Sequence, residues 1–309
     1  MRSASALHRV QFWAVCVLIF TFRRFSLPWA VRCGAQLGRL FYWMDRRHRA
    51  VAHTNLQRAF GAEKEERAMK EIAVGAFMNL GRAIAEITRA PVMSDAQILE
   101  VLQIEGLTHY HAARALGRGV ILLTAHFGNW EWVATGMALR GFPIHVVARP
   151  LDNPHLDWMI HGWRVRGGNR VLNKHTASAE IIRLLRQGEM IGVLLDQNAR
   201  REDAVFVDYF GVPAATHKGV AIIALRTGAP VLPIFFIREG AQRRIIIEAP
   251  LTLPRSGTLK QNMLDATALF TQKIESYVRR YPDHWIWIHR RWKTPAPESG
   301  HENGGSGIS

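Results

Sequence analysis

The sequence predicts an α/β fold in which helices flank a central mixed sheet, with membrane-associated helices at the N-terminus. Three observations support this prediction. From residue 104 onward, short apolar runs alternate with helical stretches, as in sheets covered by helices. The chain has 309 residues with 48% hydrophobic content, which allows one large core. An uncharged apolar run lies near the start of the chain.

That apolar run covers residues 12–22 and is flanked by Arg9 on one side and by Arg23 and Arg24 on the other. An eleven-residue helix covers roughly 17 Å, against about 30 Å of hydrocarbon in a bilayer. We therefore expect an interfacial or partly inserted anchor over residues 1–33. A signal peptide fits less well because no small-residue cleavage pattern follows closely, and a merely buried helix is the other alternative.

The next part of the chain is helical in pattern. Residues 34–60 place apolar side chains at helical spacing with arginines between them, which predicts amphipathic helices near an anionic surface. An ordinary solvated basic face explains this pattern equally well. Residues 61–89 predict a pair of helices that ends before Pro91.

Strands are expected where short apolar runs follow one another between helical stretches. These runs are residues 120–125, 144–148, 191–195, 231–236 and 245–249. We expect one catalytic domain over residues 34–293. Residues 294–309 are rich in Gly, Ser, Glu, Asn and Pro and predict a disordered tail.

Composition limits the partners. Lys and Arg total 40 against 25 Asp and Glu, and the net charge of +15 favours a membrane surface, a phosphorylated substrate, an acidic protein or a nucleic acid. Two cysteines argue against a disulfide scaffold and suit a reducing, cytoplasm-facing domain. A basic nucleic-acid-binding protein is disfavoured because the chain has an N-terminal apolar run, no recognisable binding motif and scattered arginines.

The most informative motif is residues 125–131, Ala-His-Phe-Gly-Asn-Trp-Glu, at the end of the first long predicted strand. His126 and Glu131 point about 140° apart on a helix and to opposite faces on a strand, so they meet only if the chain turns a corner between them. Gly128 and Asn129 permit that turn. A carboxylate that fixes a histidine tautomer leaves the second ring nitrogen to take a proton from a hydroxyl, which suits acyl transfer onto an alcohol. The alternative is a structural histidine.

This motif resembles the first signature of the lysophospholipid acyltransferase superfamily, and in particular of its lipid A biosynthesis branch, the late acyltransferases. Glutamate is the acid of the motif in that branch, as in this sequence. Further blocks resemble the branch in the same order, at residues 149–154, 164–166, 194–197, 206–211, 227–233 and 285–293. For residues 285–293 we expect a docked terminal strand or helix that marks the family without taking part in the chemistry.

The resemblance implies roles for the residues at the corner. His126 is expected to be the general base and Glu131 its orienting partner. Asn129 and Gly128 are expected to help form the pocket of the donor carbonyl, although Gly128 could serve the turn alone. Backbone N–H groups at the corner are expected to stabilise the oxyanion.

Four further residues carry substrate-binding expectations from the resemblance. Arg149, Arg164 and Arg166 are expected to hold anionic groups of the acceptor or donor, because a guanidinium offers a fixed fork to phosphate. A surface ion pair is the alternative for each, and it is strongest for Arg166. Asp196 is expected to position an arginine or a substrate hydroxyl, or else to cap the chain.

The resemblance further implies an O-acyltransferase at the inner (cytoplasmic) membrane, with its catalytic domain facing the cytoplasm. The expected donor is acyl-carrier protein or acyl-CoA, and the expected acceptor is an anionic glycolipid, a lipid A precursor. Inner-membrane lipids are expected partners, nucleic acid is not, and no metal or organic cofactor is implied. The alternative is an acyltransferase acting on another glycolipid, such as a phosphatidylinositol mannoside, or on a lysophospholipid.

Overall fold

The computed structural model describes residues 5–173 and 177–297. The described chain contains eleven α-helices, which are α1 (Ala6–Arg24), α2 (Leu27–Met44), α3 (Arg46–Phe60), α4 (Glu66–Arg89), α5 (Asp95–Val101), α6 (Leu107–Arg114), α7 (Trp130–Leu139), α8 (Pro154–Arg164), α9 (Ala177–Arg186), α10 (Gly219–Thr227) and α11 (Leu259–Arg280).

The nine described strands are β1 (Gln103–Glu105), β2 (Val120–Thr124), β3 (His145–Ala148), β4 (Arg170–Asn173), β5 (Met190–Leu194), β6 (Ala204–Tyr209), β7 (Val212–His217), β8 (Val231–Glu239) and β9 (Gln242–Ile247). Seven of them form one sheet in the order β1-β9-β8-β2-β5-β3-β4, and β6 and β7 form a separate hairpin. All neighbours in the large sheet are parallel except β8 and β9. The predicted mixed sheet flanked by helices is confirmed, as are the five predicted strands.

The large sheet separates two apolar clusters because side chains alternate along its strands. Val120 and Leu122 of β2 belong to the cluster that includes Trp132 of α7, whereas Ile121 and Leu123 belong to the cluster that includes α9, α10 and α11. Both faces of β2 are therefore buried, and all five of its residues are buried. This explains why the strand is continuously apolar in sequence.

The carboxyl ends of β2 and β5 lie side by side at the centre of the sheet. Thr124 is paired with Leu194, and the backbone N–H of Leu195 donates to the carbonyl oxygen of Thr124 at 3.1 Å. His126 and Asp196 each follow these paired residues by two positions, so the parallel register places them together. The carboxyl edge of such a sheet is where α/β proteins bind ligands.

Helix α2 packs closely on α4 through glycines. A Cβ atom at Gly34 would lie 2.4 Å from the carbonyl oxygen of Gly81, and one at Gly38 would lie 2.1 Å from that of Phe77. The two backbones are in contact, so larger residues at these positions would force the helices apart. The boundary predicted between residues 33 and 34 falls inside α2.

Three predicted segments differ from the structure. Residues 61–89 form a turn and one helix, α4, instead of a helical pair. Residues 285–293 form neither a helix nor a strand, although Phe127 and Trp285 make one isolated bridge. Thr294, placed in the tail by composition, donates its backbone N–H to Asn198 at 3.0 Å. The last residues of the predicted tail, 298–309, lie outside the described residues.

The N-terminal helix is longer than its apolar core suggested. Helix α1 has 19 residues and spans roughly 28 Å. Among the described residues, it is the one helix long and apolar enough, by length and composition, to cross a bilayer. The estimate of 17 Å was too short because α1 continues through the polar residues on both sides of the run. Residues 1–4 of the predicted anchor lie outside the described part.

Candidate active site

His126 lies at the end of β2 and is held by Asp196 through two hydrogen bonds. The backbone N–H of His126 donates to Oδ2 of Asp196 at 2.9 Å, and Nδ1 of the ring lies 2.9 Å from Oδ1. The side chain of His126 is 24% exposed, whereas that of Asp196 is 1% exposed. The carboxylate of Asp196 is thus shielded from solvent, whereas the side chain of His126 is partly exposed.

Asp196 is ionised in this setting. Burial alone would raise the pKa of the carboxyl, but the charge of His126 and hydrogen bonds from His126 and Trp285 outweigh burial, so the pKa lies below its usual range. An ionised carboxylate only accepts hydrogen bonds, so Nδ1 must be the protonated nitrogen and Nε2 the basic one. The amide of Gln197 lies 3.4 Å from Nε2.

Glu131 pairs with Arg164 and makes no hydrogen bond to His126 in the described chain. Nε of Arg164 donates to both carboxylate oxygens of Glu131, at 3.1 and 3.0 Å, and Nη2 donates to Oε1 at 2.5 Å. This contact contradicts the predicted orienting role of Glu131 toward His126. Glu131 lies in the first turn of α7 and faces α8, whereas the His126 ring faces the end of β5.

The turn at Gly128 explains how the chain leaves β2 for α7. Gly128 has φ +59°, and a Cβ atom there would lie 2.3 Å from the carbonyl oxygen of Phe236. Its N–H donates to the carbonyl oxygen of His284 at 2.8 Å, and the N–H of Phe127 donates to Ala125 at 2.7 Å. The N–H groups of residues 126–128 are therefore all engaged within the protein, so an oxyanion role for the corner stays a prediction for the N–H groups at the start of α7.

Asn129 is fully buried and begins α7. Its Oδ1 accepts the backbone N–H of Trp132 at 3.2 Å, and its Nδ2 donates to Glu86 at 2.9 Å. Glu86 is also bound by Arg238 and Arg243, and these charges outweigh burial and lower the pKa of the carboxyl. With no exposed surface, Asn129 cannot line a substrate pocket, so the contact predicted for it is wrong. It anchors the corner to α4.

Arg166 and Arg149 differ in whether their guanidinium groups are available to an anionic ligand. Arg166 donates to Asp95 and to the carbonyl oxygens of Ala90 and Met93, so its guanidinium is used within the fold and the predicted anion contact is contradicted. Arg149 pairs only loosely with Asp152, at 3.2 Å, and both side chains are mostly exposed. Arg149 therefore stays available to an anionic ligand.

An apolar cleft opens beside His126. It is narrow, with a cavity volume of only about 10 Å³, and lies between α4 and the segment after α11. Its lining includes Phe77, Leu80, Trp130 and Ile288 together with His126. A basic imidazole nitrogen next to an apolar cleft suits the transfer of a group that carries a hydrocarbon chain.

The model of the bacterial lipid A biosynthesis acyltransferase family matches residues 1–294. The chain belongs to this family. Its relatives in the family are named as acyltransferases, and this protein is likewise an acyltransferase.

Named relatives agree with this membership. The chain is 28% identical over 280 residues to the lipid A biosynthesis palmitoleoyltransferase of Escherichia coli (strain K12), and the match covers 89% of each chain. It is also 28% identical over 277 residues to the lauroyltransferase of the same organism, with 87% of each chain covered. A phosphatidylinositol mannoside acyltransferase of Mycobacterium tuberculosis is 25% identical over 225 residues, or 71% of this chain and 69% of the relative. Among solved structures, the 1-acyl-sn-glycerophosphate acyltransferase PlsC of Thermotoga maritima aligns over 82% of this chain and 99% of its own, at 14% identity and a TM-score of 0.38.

The segment after α11 contacts the site in ways that the sequence did not suggest. Nε1 of Trp285 donates to Oδ2 of Asp196 at 2.8 Å, and the backbone N–H of Ile286 donates to the carbonyl oxygen of His126 at 3.1 Å. Nε2 of His289 accepts the backbone N–H of Asn198 at 3.0 Å. The segment thus binds both strand ends that form the site.

His289 can accept that hydrogen bond only while its Nε2 is unprotonated. Burial is the main cause that lowers the pKa of His289, to about 4, so the ring is neutral near neutral pH. No local pattern identified Trp285 or His289 as parts of the site, and only the family resemblance singled out their segment. Asp196 did carry a signal, because it directly follows a predicted buried strand.

Proposed function

We propose that this enzyme is a membrane-associated O-acyltransferase that moves a fatty acyl chain from a thioester donor to a hydroxyl of a lipid A precursor. One observation carries the proposal: Asp196 holds Nδ1 of His126, which leaves Nε2 as the basic nitrogen of a partly exposed side chain that lines the apolar cleft. This is the arrangement that a general base for an acceptor hydroxyl requires.

The chemistry needs no covalent acyl-enzyme. Nε2 of His126 takes the proton of the acceptor hydroxyl as its oxygen attacks the thioester carbonyl, and the new ester C–O bond forms while the C–S bond breaks. The imidazolium then returns the proton to the departing thiolate, which leaves as a thiol. The negative charge of Asp196 stabilises the imidazolium between these two steps.

The donor is proposed to be acyl-carrier protein or acyl-CoA, with the acyl chain entering at the cleft beside His126, which widens to admit it. Phe77, Leu80 and Ile288 provide apolar walls for a hydrocarbon. Acyl-carrier protein is acidic, so the net charge of +15 favours its approach, and it equally favours the phosphates of CoA.

The acceptor is proposed to be anionic and to be held in part by Arg149, whose guanidinium is largely exposed. Arg164 shapes the site through its pair with Glu131. A lipid acceptor requires access to the bilayer, and α1 is proposed to anchor the enzyme to the inner membrane with the domain on the cytoplasmic side. Its length and apolar composition support this location.

A second candidate acceptor is another glycolipid or a lysophospholipid. The 25% identity to a phosphatidylinositol mannoside acyltransferase, against 28% to the lipid A acyltransferases, is the observation behind it. The proposed use of His126 and Asp196 is the same for either acceptor.

Mass spectrometry of lipid extracts tests the proposal. Cells that express the wild-type chain should gain a lipid A species heavier by one acyl group, and cells with equal amounts of folded His126→Ala should not. The added mass also reports the acyl length. An unchanged lipid A with a heavier glycolipid or phospholipid would select the second acceptor, and wild-type turnover by purified His126→Ala would overturn the mechanism.

A further inference from the structure

Helix α8 is apolar but has no buried residue. Its side chains include Leu156, Trp158, Met159, Ile160 and Trp163, and each of them stays in part or largely exposed. A helix of this composition in a water-soluble fold normally buries one face in the core. The exposed face of α8 therefore calls for a partner.

Trp158 is the most exposed large apolar side chain in the described residues, with 78% of its surface accessible. Leu151 and Val165 lie seven positions before and after it and are also exposed. They lie just outside the two ends of α8 and extend the exposed apolar surface in sequence on both sides of Trp158. Tryptophan is enriched at the boundary between lipid and water, because its ring is apolar and its N–H is polar.

This exposed face continues the surface of α1. Nδ2 of Asn153, the residue before α8, donates to the carbonyl oxygen of His8 at 2.8 Å, and the rings of Phe12 and His155 lie 5.3 Å apart. Trp158 follows His155 by three residues and so lies on the same side of α8. The outer side of α1 carries a stripe of exposed apolar residues, namely Leu7, Val10, Trp13, Val17 and Phe20.

We propose that α8 is a second membrane-contacting element, which lies with Trp158 at the surface of the phospholipid bilayer that holds α1. The proposal rests on the proposed membrane association of α1. The continuity of the two exposed apolar surfaces makes a lipid surface the occupant. Asp157 does not oppose it, since its carboxylate accepts the backbone N–H of Leu151 at 2.8 Å.

The contact would place the Arg164 end of the site at the lipid surface. Arg164 is the last residue of α8 and binds Glu131 of the corner motif. A bilayer that supports α8 therefore supports the Arg164 end of the site, and a lipid acceptor reaches His126 without leaving the surface.

Site-directed fluorescence in vesicles tests this inference on the full-length chain. Three single-cysteine proteins are made: Cys16 alone, Trp158→Cys and Leu259→Cys, with the other native cysteines replaced by serine. Leu259 is 64% exposed and begins α11 on the opposite face of the sheet from α7, so it is the matched control. Each cysteine carries an environment-sensitive fluorophore, and the vesicles contain phosphatidylethanolamine, phosphatidylglycerol and a nitroxide lipid.

We expect a blue shift and nitroxide quenching at positions 16 and 158 and neither at position 259. If position 16 is quenched and position 158 behaves like position 259, the inference is wrong while the proposed anchor stands. If neither position 16 nor position 158 is quenched, the proposed membrane association itself fails. A shift at position 158 that depends on protein concentration and lacks nitroxide quenching identifies a second copy of the chain as the occupant and overturns the inference.

Discussion

Two carboxylates lie near the corner motif, and their surroundings differ. Asp196 is almost fully buried and bonded to the ring and backbone of His126 and to Trp285. Glu131 is partly exposed and forms a forked pair with Arg164 on another helix. Only Asp196 can set the tautomer of His126, although Glu131 is the one that lies within the motif.

Because the two carboxylates have different partners, the two ends of the motif have different roles, although the sequence suggested one shared role. The His126 end of the motif provides the proposed base, and the carboxylate that holds it follows the neighbouring strand β5. The Glu131 end connects α7 to α8 and fixes the position of Arg164. Closeness in sequence thus predicts the elements that meet at a corner but not the pairs of side chains that meet there.

Replacing Asp196 should cause the largest loss of activity. Asp196→Asn removes the charge that stabilises the imidazolium and permits the wrong tautomer, so we expect kcat to fall by ~10²–10⁴-fold. The acidic limb of the kcat/KM pH profile should also move toward lower pH. Steady-state kinetics of the purified protein measure both effects, and Asp265→Asn on the exposed side of α11 is the matched control.

A double variant sharpens this test. If Asp196 acts through His126, then Asp196→Asn should cost little further activity in a His126→Ala background. If the losses of activity caused by the two substitutions instead multiply, His126 and Asp196 act independently. Asp196 would then not differ from Glu131 in its effect on His126.

Breaking the pair of Glu131 and Arg164 should have a smaller effect of a different kind. Glu131→Gln and Arg164→Gln each leave a partly buried charge without its partner, so each should lower the free energy of unfolding by about 2 kcal/mol. Activity should fall while the pH profile of kcat/KM keeps its shape. A shifted acidic limb in Glu131→Gln would show that Glu131 acts on His126 after all.

Trp285→Phe should reduce activity through the loss of one hydrogen bond to Asp196, without abolishing it. The change keeps an aromatic ring but removes the N–H that donates to Asp196, and hydrogen bonds to charged groups contribute about 1.5–3 kcal/mol. We expect kcat to fall roughly tenfold, in line with the lower end of that range. Trp292→Phe, whose ring donates to the carbonyl oxygen of Val212 instead, is the control.

The smallest effect concerns acid stability. Because burial lowers the pKa of His289 from 6.5 to about 4, its neutral form stabilises the fold above pH 6.5, and this contribution is lost as the pH falls toward 4. His289→Gln keeps an acceptor and cannot titrate. Urea unfolding between pH 7 and 4 should therefore show a shallower loss of stability in the variant, and equal slopes would contradict the role of His289.

The fold was largely predictable because its strands are buried on both faces. Continuous apolar runs mark the central strands β2, β5 and β8, and the two other predicted runs, which each contain one polar residue, are strands as well. The short strands β1 and β4 were not predicted, since polar residues occupy half or more of their positions. Residues 285–293 were unpredictable for another reason: their structure depends on tertiary contacts with β2 and β5 and has no period of its own.

The site was predictable only in part. His126 lies where the strand-to-corner pattern placed it, and Arg164 lies close to the motif as the resemblance implied. The partners were not predictable, because Asp196 is 70 residues from His126 and Trp285 is 89 residues from Asp196. Sequence spacing holds no information on the order of strands in a sheet. Once β2 and β5 are known to be neighbours, the pairing of Thr124 with Leu194 leads directly to His126 and Asp196.

The contacts made by residues 284–289 have a consequence for biosynthesis. The ribosome makes α1 before this segment, yet the segment takes part in hydrogen bonds with His126, Gly128, Asp196 and Asn198. A nascent chain can therefore fold α1 before the proposed catalytic base is held in place. We expect the enzyme to become active only after residues 284–289 have been made.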